Sequence, residues 1–255
     1  MTEGYKKSAT RDTVESLVVT VILAVFGTTF VIQAFKIPTG SMEDTLLIGD
    51  HLLVNKFAFA SQPGWIRHLF PYRRINRDDV VVFKYPYRDD QTQEPGEHFV
   101  KRVIGVPGDR IRVANRQVYV NGQPVSEPFV RHAYPAFDRH PGDDFPPADI
   151  ADLGGATPRW EDELPSVIKN GELIVPPDVY FVMGDNREQS WDSRFWGFAP
   201  RDLIAGRPLL IYWSFETPRD EYLHTGITDR LAEIWDLVAH FLTKTRWRRT
   251  FRIVR

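Results

Sequence analysis

Three segments of the chain carry residues that can do chemistry. The first is IPTGSMEDTL (37–46), in which Pro38 and Gly40 hold the backbone around Ser41 out of regular structure. A serine hydroxyl becomes a nucleophile only beside a base. Gly-Ser pairs also occupy ordinary turns, so this segment alone fits either reading. The second is HFVKRVIGVPGD (98–109). On a strand, Phe99, Lys101 and Val103 share one face. Apolar neighbours on that face would desolvate the ammonium and lower its pKa. An unperturbed lysine, near 10.4, leaves under roughly 1% neutral amine at pH 8, and lowering it by two units costs about 2.7 kcal/mol. The alternative is a surface lysine on an edge strand. The third is MGDNREQSWDSRFWGF (183–198), where Asp185, Asn186, Arg187, Ser190, Asp192, Ser193 and Arg194 can form a buried polar network or an ion-paired loop.

Histidine is the other candidate base. His51, His68 and His98 are present. His98 is three residues from Lys101, so strand geometry turns it to the opposite face.

Several elements must position these groups. From Ser16 to Phe35 no residue is charged. That length suits a helix crossing a bilayer core, which needs roughly 20 apolar residues. It is too long for the apolar region of a cleaved leader, and no A-x-A-like site follows. An uncleaved membrane anchor over 16–35 is therefore expected, with a buried core helix as the alternative. Lys6, Lys7 and Arg11 precede the run and Lys36 and Lys56 follow it, so the charge bias toward a cytoplasmic N-terminus (1–15) is slight. Beyond Phe35 come strand-like runs at 50–57, 78–85, 97–106, 179–185 and 208–215, and a meander over 109–125 with turns at Asn115-Arg116 and Asn121-Gly122. The expected class is mainly β: an antiparallel catalytic domain over 36–225. Residues 126–170 hold seven prolines and many acids, a composition that reads as a solvated surface insertion. Ile227, Leu231, Ile234, Trp235, Val238, Phe241 and Leu242 follow helical spacing, and six basic residues lie behind them. The segment 226–255 thus reads as an amphipathic basic helix, lying on anionic lipid or docked on the β domain. The aromatic stretch 57–72, with Trp65, Phe70 and Tyr72, fits a membrane-facing surface or a packed loop.

Taken in order after an N-terminal span, the segments resemble the sequence boxes of the type I signal peptidases, a Ser/Lys peptidase family. PTGSM matches the nucleophile box, GDHLLVNKF (49–57) the following box, KRVIGVPGD the lysine box, and GDNREQSWDSRFWG the last box. The resemblance covers much of 36–110 and 183–215. It implies that Ser41 is the nucleophile and Lys101 the general base. It implies an oxyanion hole from Thr39 and the Ser41 N–H. Ser190 would orient the lysine amine, Asp192 and Arg194 would support it as an ion pair, and Arg102–Asp185 would be a structural pair. Met42 is expected to pack near the site. The implied substrates are signal peptides of exported preproteins, bound as an added strand. The implied setting is the bacterial inner (plasma) membrane, with the catalytic domain outside the cytoplasm, in contact with the phospholipid bilayer and with the secretion translocon. No metal or organic cofactor is needed. The chain departs from the family where Glu43-Asp44 replace a variable residue and Pro. These carboxylates are expected to face solvent, because facing Lys101 they would raise its pKa.

Composition narrows the alternatives. A formal net charge of −2 argues against a nucleic-acid partner. The absence of cysteine excludes a thiolate nucleophile, a disulfide and a Cys-based zinc site. A non-catalytic peptide-binding β domain would keep the fold without the Ser41, Lys101, Ser190 and Asp192 set. A self-cleaving repressor would open on a soluble DNA-binding domain instead of a lipid-compatible run.

Overall fold

The computed structural model describes residues 9–56, 58–59, 73–87, 97–218 and 226–254. A helix α1 (Ala9–Phe26) runs through a π-helical turn, Gly27–Val31, into strand β1 (Ile32–Lys36). There follow β2 (Asp50–Asn55), β3 (Val80–Lys84), β4 (His98–Gly105), β5 (Arg110–Ala114), β6 (Gln117–Val120) and β7 (Gln123–Pro124). Then come α2 (Pro158–Val167), β8 (Ile168–Lys169), β9 (Glu172–Ile174), β10 (Val179–Met183), the short α3 (Ser193–Trp196), β11 (Ala199–Pro200) and the long β12 (Ile204–Ser214). Helix α4 (Ile227–Lys244) and β13 (Arg252–Ile253) end the described chain.

Every pairing between these strands is antiparallel. The larger sheet has the order β1-β2-β12-β3-β4-β10-β11, with β13 added on β12, and the smaller has β7-β6-β5-β9-β8. Alternation fixes which side each strand buries: β2 buries Asp50, Leu52 and Val54, and β5 buries Ile111 and Val113. The expected turns are present. Asn115 and Arg116 have φ of 50° and 67°, and Asn121 and Gly122 have 53° and 77°, the paired positive φ of tight hairpins.

Three sequence expectations change. Residues 126–170 are only in part a solvated loop: 126–141 buries no residue, but the rest enters the core. Phe145, Leu153, Trp160 and Leu164 are buried in the core under the smaller sheet, beside Ile111, Val118 and Phe181. Phe145 exchanges backbone bonds with Val113, and the Trp160 indole donates to Arg194 O at 3.0 Å. Thr157 caps α2 and Pro158 opens it, so proline here starts an element rather than preventing one. The apolar run 16–35 is also divided. The helix begins earlier, at Ala9, and takes in Arg11, Asp12 and Glu15, while Ile32–Phe35 leave it to pair with Leu52–Asn55. Among the described residues no helix is long and apolar enough to cross a membrane. Last, the C-terminal helix stops at Lys244, and the chain turns back as β13 onto β12. Trp65, Phe70 and Tyr72 lie outside the described residues, as do Lys6, Lys7 and His68.

Candidate active site

Ser41 sits in the connection between β1 and β2. Met42 and Leu46 are fully buried in the core shared by β2, β3 and β12 and fasten this loop from below. Glu43 N donates to Gly40 O and Leu46 N to Met42 O, which turns the chain tightly about Ser41. Asn186 grips it from the side, its N–H on Ser41 O and its Nδ2 on Gly40 O, both at 3.1 Å. Gly184 makes this approach possible, since a Cβ there would lie 2.5 Å from Ser41 O.

Lys101 stands on β4, opposite Val81 of β3. Its side chain passes the Phe99 ring, 5.7 Å from Nζ to the ring centre, as the shared strand face requires. The residue is 5% exposed, and Nζ lies 2.6 Å from Ser41 Oγ. Burial pushes the ammonium down from 10.5 to about 8; Asp192 and Asp185 hold it up, and Arg194 pushes it further down.

The polar segment after β10 forms a buried network. Arg194 binds Asp192 through Nε–Oδ1 and Nη2–Oδ2, both at 2.9 Å, and also donates from Nη2 to Arg187 O and from Nη1 to Gly142 O. Burial raises the Asp192 carboxyl, but the Arg194 charge and hydrogen bond, Lys101 and the Gly184 N–H outweigh it, so its pKa is lowered. Arg102 meets Asp185 in the same forked manner at 2.8 and 2.7 Å, and Thr45 Oγ1 donates to Asp185 at 2.5 Å. Arg187 pairs with Glu127.

Thr39 is exposed on the rim of a cavity of about 510 Å³ that also reaches Ser41 and Lys101. Phe35, Phe99 and Trp191 give it apolar walls. Ser190 is buried, and its Oγ has no hydrogen-bond partner among the described residues. It packs against Gly184, where a Cβ would come within 2.2 Å of it. His98 reaches the cavity rim beside Phe35, with its pKa lowered first by burial and then by Lys84 and Lys56, while His51 stacks on Trp213. The hydroxyl of Ser41 is bonded to Lys101, not to a histidine.

One expectation about the site is overturned. Asp44 faces solvent, but Glu43 is buried, 6% exposed, because Arg131 Nη1 meets Glu43 Oε2 at 3.2 Å and Asp44 Oδ1 at 2.9 Å. Glu43 is not among the groups that shift Lys101. Arg131 was invisible in the sequence because it lies in the segment read as solvated. Its backbone runs beside the site, N–H on Asp185 O and O accepting from Arg187 N.

Comparison with known proteins places these residues in context. Residues 10–213 match the family described as signal peptidase, peptidase S26. A probable signal peptidase I-2 of Synechocystis sp. is 33% identical over 199 residues, covering 78% of this chain and 71% of that protein. Signal peptidase I of Pseudomonas aeruginosa is 33% identical over 215 residues, covering 74% and 68%. Signal peptidase I of Bacillus caldolyticus is 34% identical over 188 residues, covering 73% and 82%.

Proposed function

The chain belongs to the peptidase S26 signal peptidases, serine endopeptidases, and from that premise we propose that it cleaves signal peptides from exported preproteins with a Ser41/Lys101 dyad. The observation that carries the dyad is the buried 2.6 Å approach of Nζ to Oγ. With Lys101 near pKa 8, a useful fraction of the amine is neutral at physiological pH. The neutral amine takes the Ser41 proton as Oγ attacks the scissile carbonyl. The tetrahedral oxyanion is held by the Ser41 N–H, which has no other acceptor among the described residues, and by the Thr39 hydroxyl. The C–N bond breaks, the new amine leaves with the proton from Lys101, and Ser41 keeps the acyl group as an ester. Neutral Lys101 then deprotonates water, which attacks the ester and frees Ser41. Asp192, with Arg194, supports the lysine electrostatically. Ser190 orients it through a hydroxyl that has no competing partner. The apolar cavity beside the dyad suits small residues upstream of the cut.

The membrane anchor is part of the same reading. Every described side chain from Leu17 to Phe26 is exposed, and α1 buries none of its residues. The uncharged helical stretch continues through the π-helical turn to Val31, before the chain enters β1. Such a surface suits a lipid environment, and the slight basic excess before the run favours the β domain on the extracytoplasmic side.

The test is cleavage of a preprotein by detergent-solubilised protein, comparing the native form with Ser41→Ala and Lys101→Ala. Both variants should be inactive and folded; near-native cleavage by a folded Lys101→Ala protein would rule out the dyad.

A further inference from the structure

The C-terminal arm, 227–254, lies beyond the residues that match the family, and its base is firmly held. Thr245 pairs with Phe215, and Phe251 and Val254 donate backbone bonds to Ile211 and Leu209 of β12. Arg249 reaches the buried Asp50 at 2.6 and 3.2 Å and also donates to Thr45 O, four residues after Ser41. Arg246 donates to Ile48 O. The arm is thus bolted to the segment that follows the nucleophile.

Helix α4, by contrast, leaves its apolar stripe uncovered. Ile234, Trp235 and Val238 share one helical face and are 59, 73 and 65% exposed, and past a kink at His240 Phe241 and Leu242 are exposed by 42 and 73%. Asp236, His240 and Lys244 occupy the other side and pair with one another. Past the helix, Trp247, Phe251 and Ile253 add three further exposed apolar side chains, 54, 74 and 65%. Exposed Arg248 and Arg252 alternate with these.

We propose that this arm is a lipid-binding surface that lies flat on an anionic bilayer. The stripe enters the acyl-chain boundary, Trp235 and Trp247 sit at headgroup level, and Arg248 and Arg252 meet the anionic headgroups. A purely apolar partner site would have no use for exposed arginines interleaved with aromatics, whereas a charged, apolar-cored interface matches both. Because the arm's base holds Thr45 and Asp50, lipid contact also fixes the height of the Ser41 loop above the membrane. The inference extends the membrane reading given above, but it concerns a different element, and the two can fail separately.

The absence of cysteine allows a direct test on the full chain. Single-cysteine forms Leu242→Cys on the stripe, Thr243→Cys on the polar side and Ile22→Cys in α1 carry nitroxide labels in vesicles of phosphatidylcholine and phosphatidylglycerol. Circular dichroism and thermal unfolding verify folding of each. The Leu242→Cys label should collide more with oxygen than with a water-soluble nickel chelate, and the Thr243→Cys label should show the reverse. Replacing phosphatidylglycerol by phosphatidylcholine, or adding Arg248→Glu with Arg252→Glu, should raise nickel access at the Leu242→Cys label severalfold. If that label stays freely open to nickel, the arm does not bind lipid. If it is shielded from both reagents with dipolar broadening between labels, a second copy covers the stripe and the proposal is overturned. The Ile22→Cys label reports the N-terminal anchor independently.

Discussion

Arg194 closes onto Asp192 with both arms of its guanidinium at 2.9 Å, and the two charges act on Lys101 in opposite directions. Burial outweighs both and is the main influence on the lysine. The consequence is a group poised near pKa 8 instead of 10.5.

Activity should therefore rise with pH through that value. About a tenth of the amine is neutral at pH 7 with a pKa near 8, against well under 0.1% for an unshifted lysine. The profile of kcat/KM should climb about tenfold per pH unit below pH 7 and flatten above about 8.5. An acid limb that continues to climb past pH 10 would show that Lys101 is not desolvated in solution.

The same burial works against stability. The folded pKa lies below the unfolded one, so between pH 8 and 10.5 the unfolded chain binds more protons and stability increases with pH. Below pH 8 both states carry the charge, and the folded state bears a penalty on the order of 3 kcal/mol. Lys101→Met should be more stable than the native protein at pH 7 in urea unfolding, and that advantage should shrink toward pH 10.5.

Asp192→Asn should separate the electrostatic part from the structural part. Removing the carboxylate takes away the largest influence raising Lys101, so the acid limb should move to lower pH. It also leaves Arg194 buried without its counter-charge, a loss of about 3–5 kcal/mol. Unfolding curves and a pH–rate profile on the same preparation read both effects.

Arg131 should matter to cleavage although no part of it reaches the dyad. Arg131→Ala removes the Arg131 ion pair of the buried Glu43 carboxylate, two residues from Ser41, and a fall in kcat exceeding the change in KM is expected. Arg131→Lys should restore part of it. A double-mutant cycle with Glu43→Gln should give a coupling of roughly 0.5–3 kcal/mol; additivity would mean the contact has no functional weight.

Trp160→Ala tests whether the segment 126–170 belongs to the core. A fully buried tryptophan should cost about 3–5 kcal/mol on truncation. A change within about 0.5 kcal/mol would fit a solvated loop instead.

Much of this was legible in the chain itself. Runs of β-branched and aromatic residues bounded by turn formers located the strands at 50–57, 78–85 and 97–106, and Asn-Arg and Asn-Gly pairs located the hairpins, because both signals are local. Strand periodicity put Phe99 and Lys101 on one face, and density of hydrogen-bonding groups marked 183–198 as a network. What failed was reading burial from composition. The prolines and acids of 126–170 hid Phe145, Trp160 and Leu164, whose value depends on a sheet formed elsewhere in the chain. Ile32–Phe35 fit an apolar helix equally well until β2 offered them backbone partners.

The sequence by itself determined the reactive residue types, their order and the family to which they belong. Only the tertiary structure decided that Nζ lies 2.6 Å from Oγ, that Glu43 turns inward to Arg131, and that Arg249 ties the tail to Asp50. Those three contacts join residues 60, 88 and 199 positions apart. No local propensity encodes such a distance; it is fixed by which sheet faces are covered and by which buried charges must find partners.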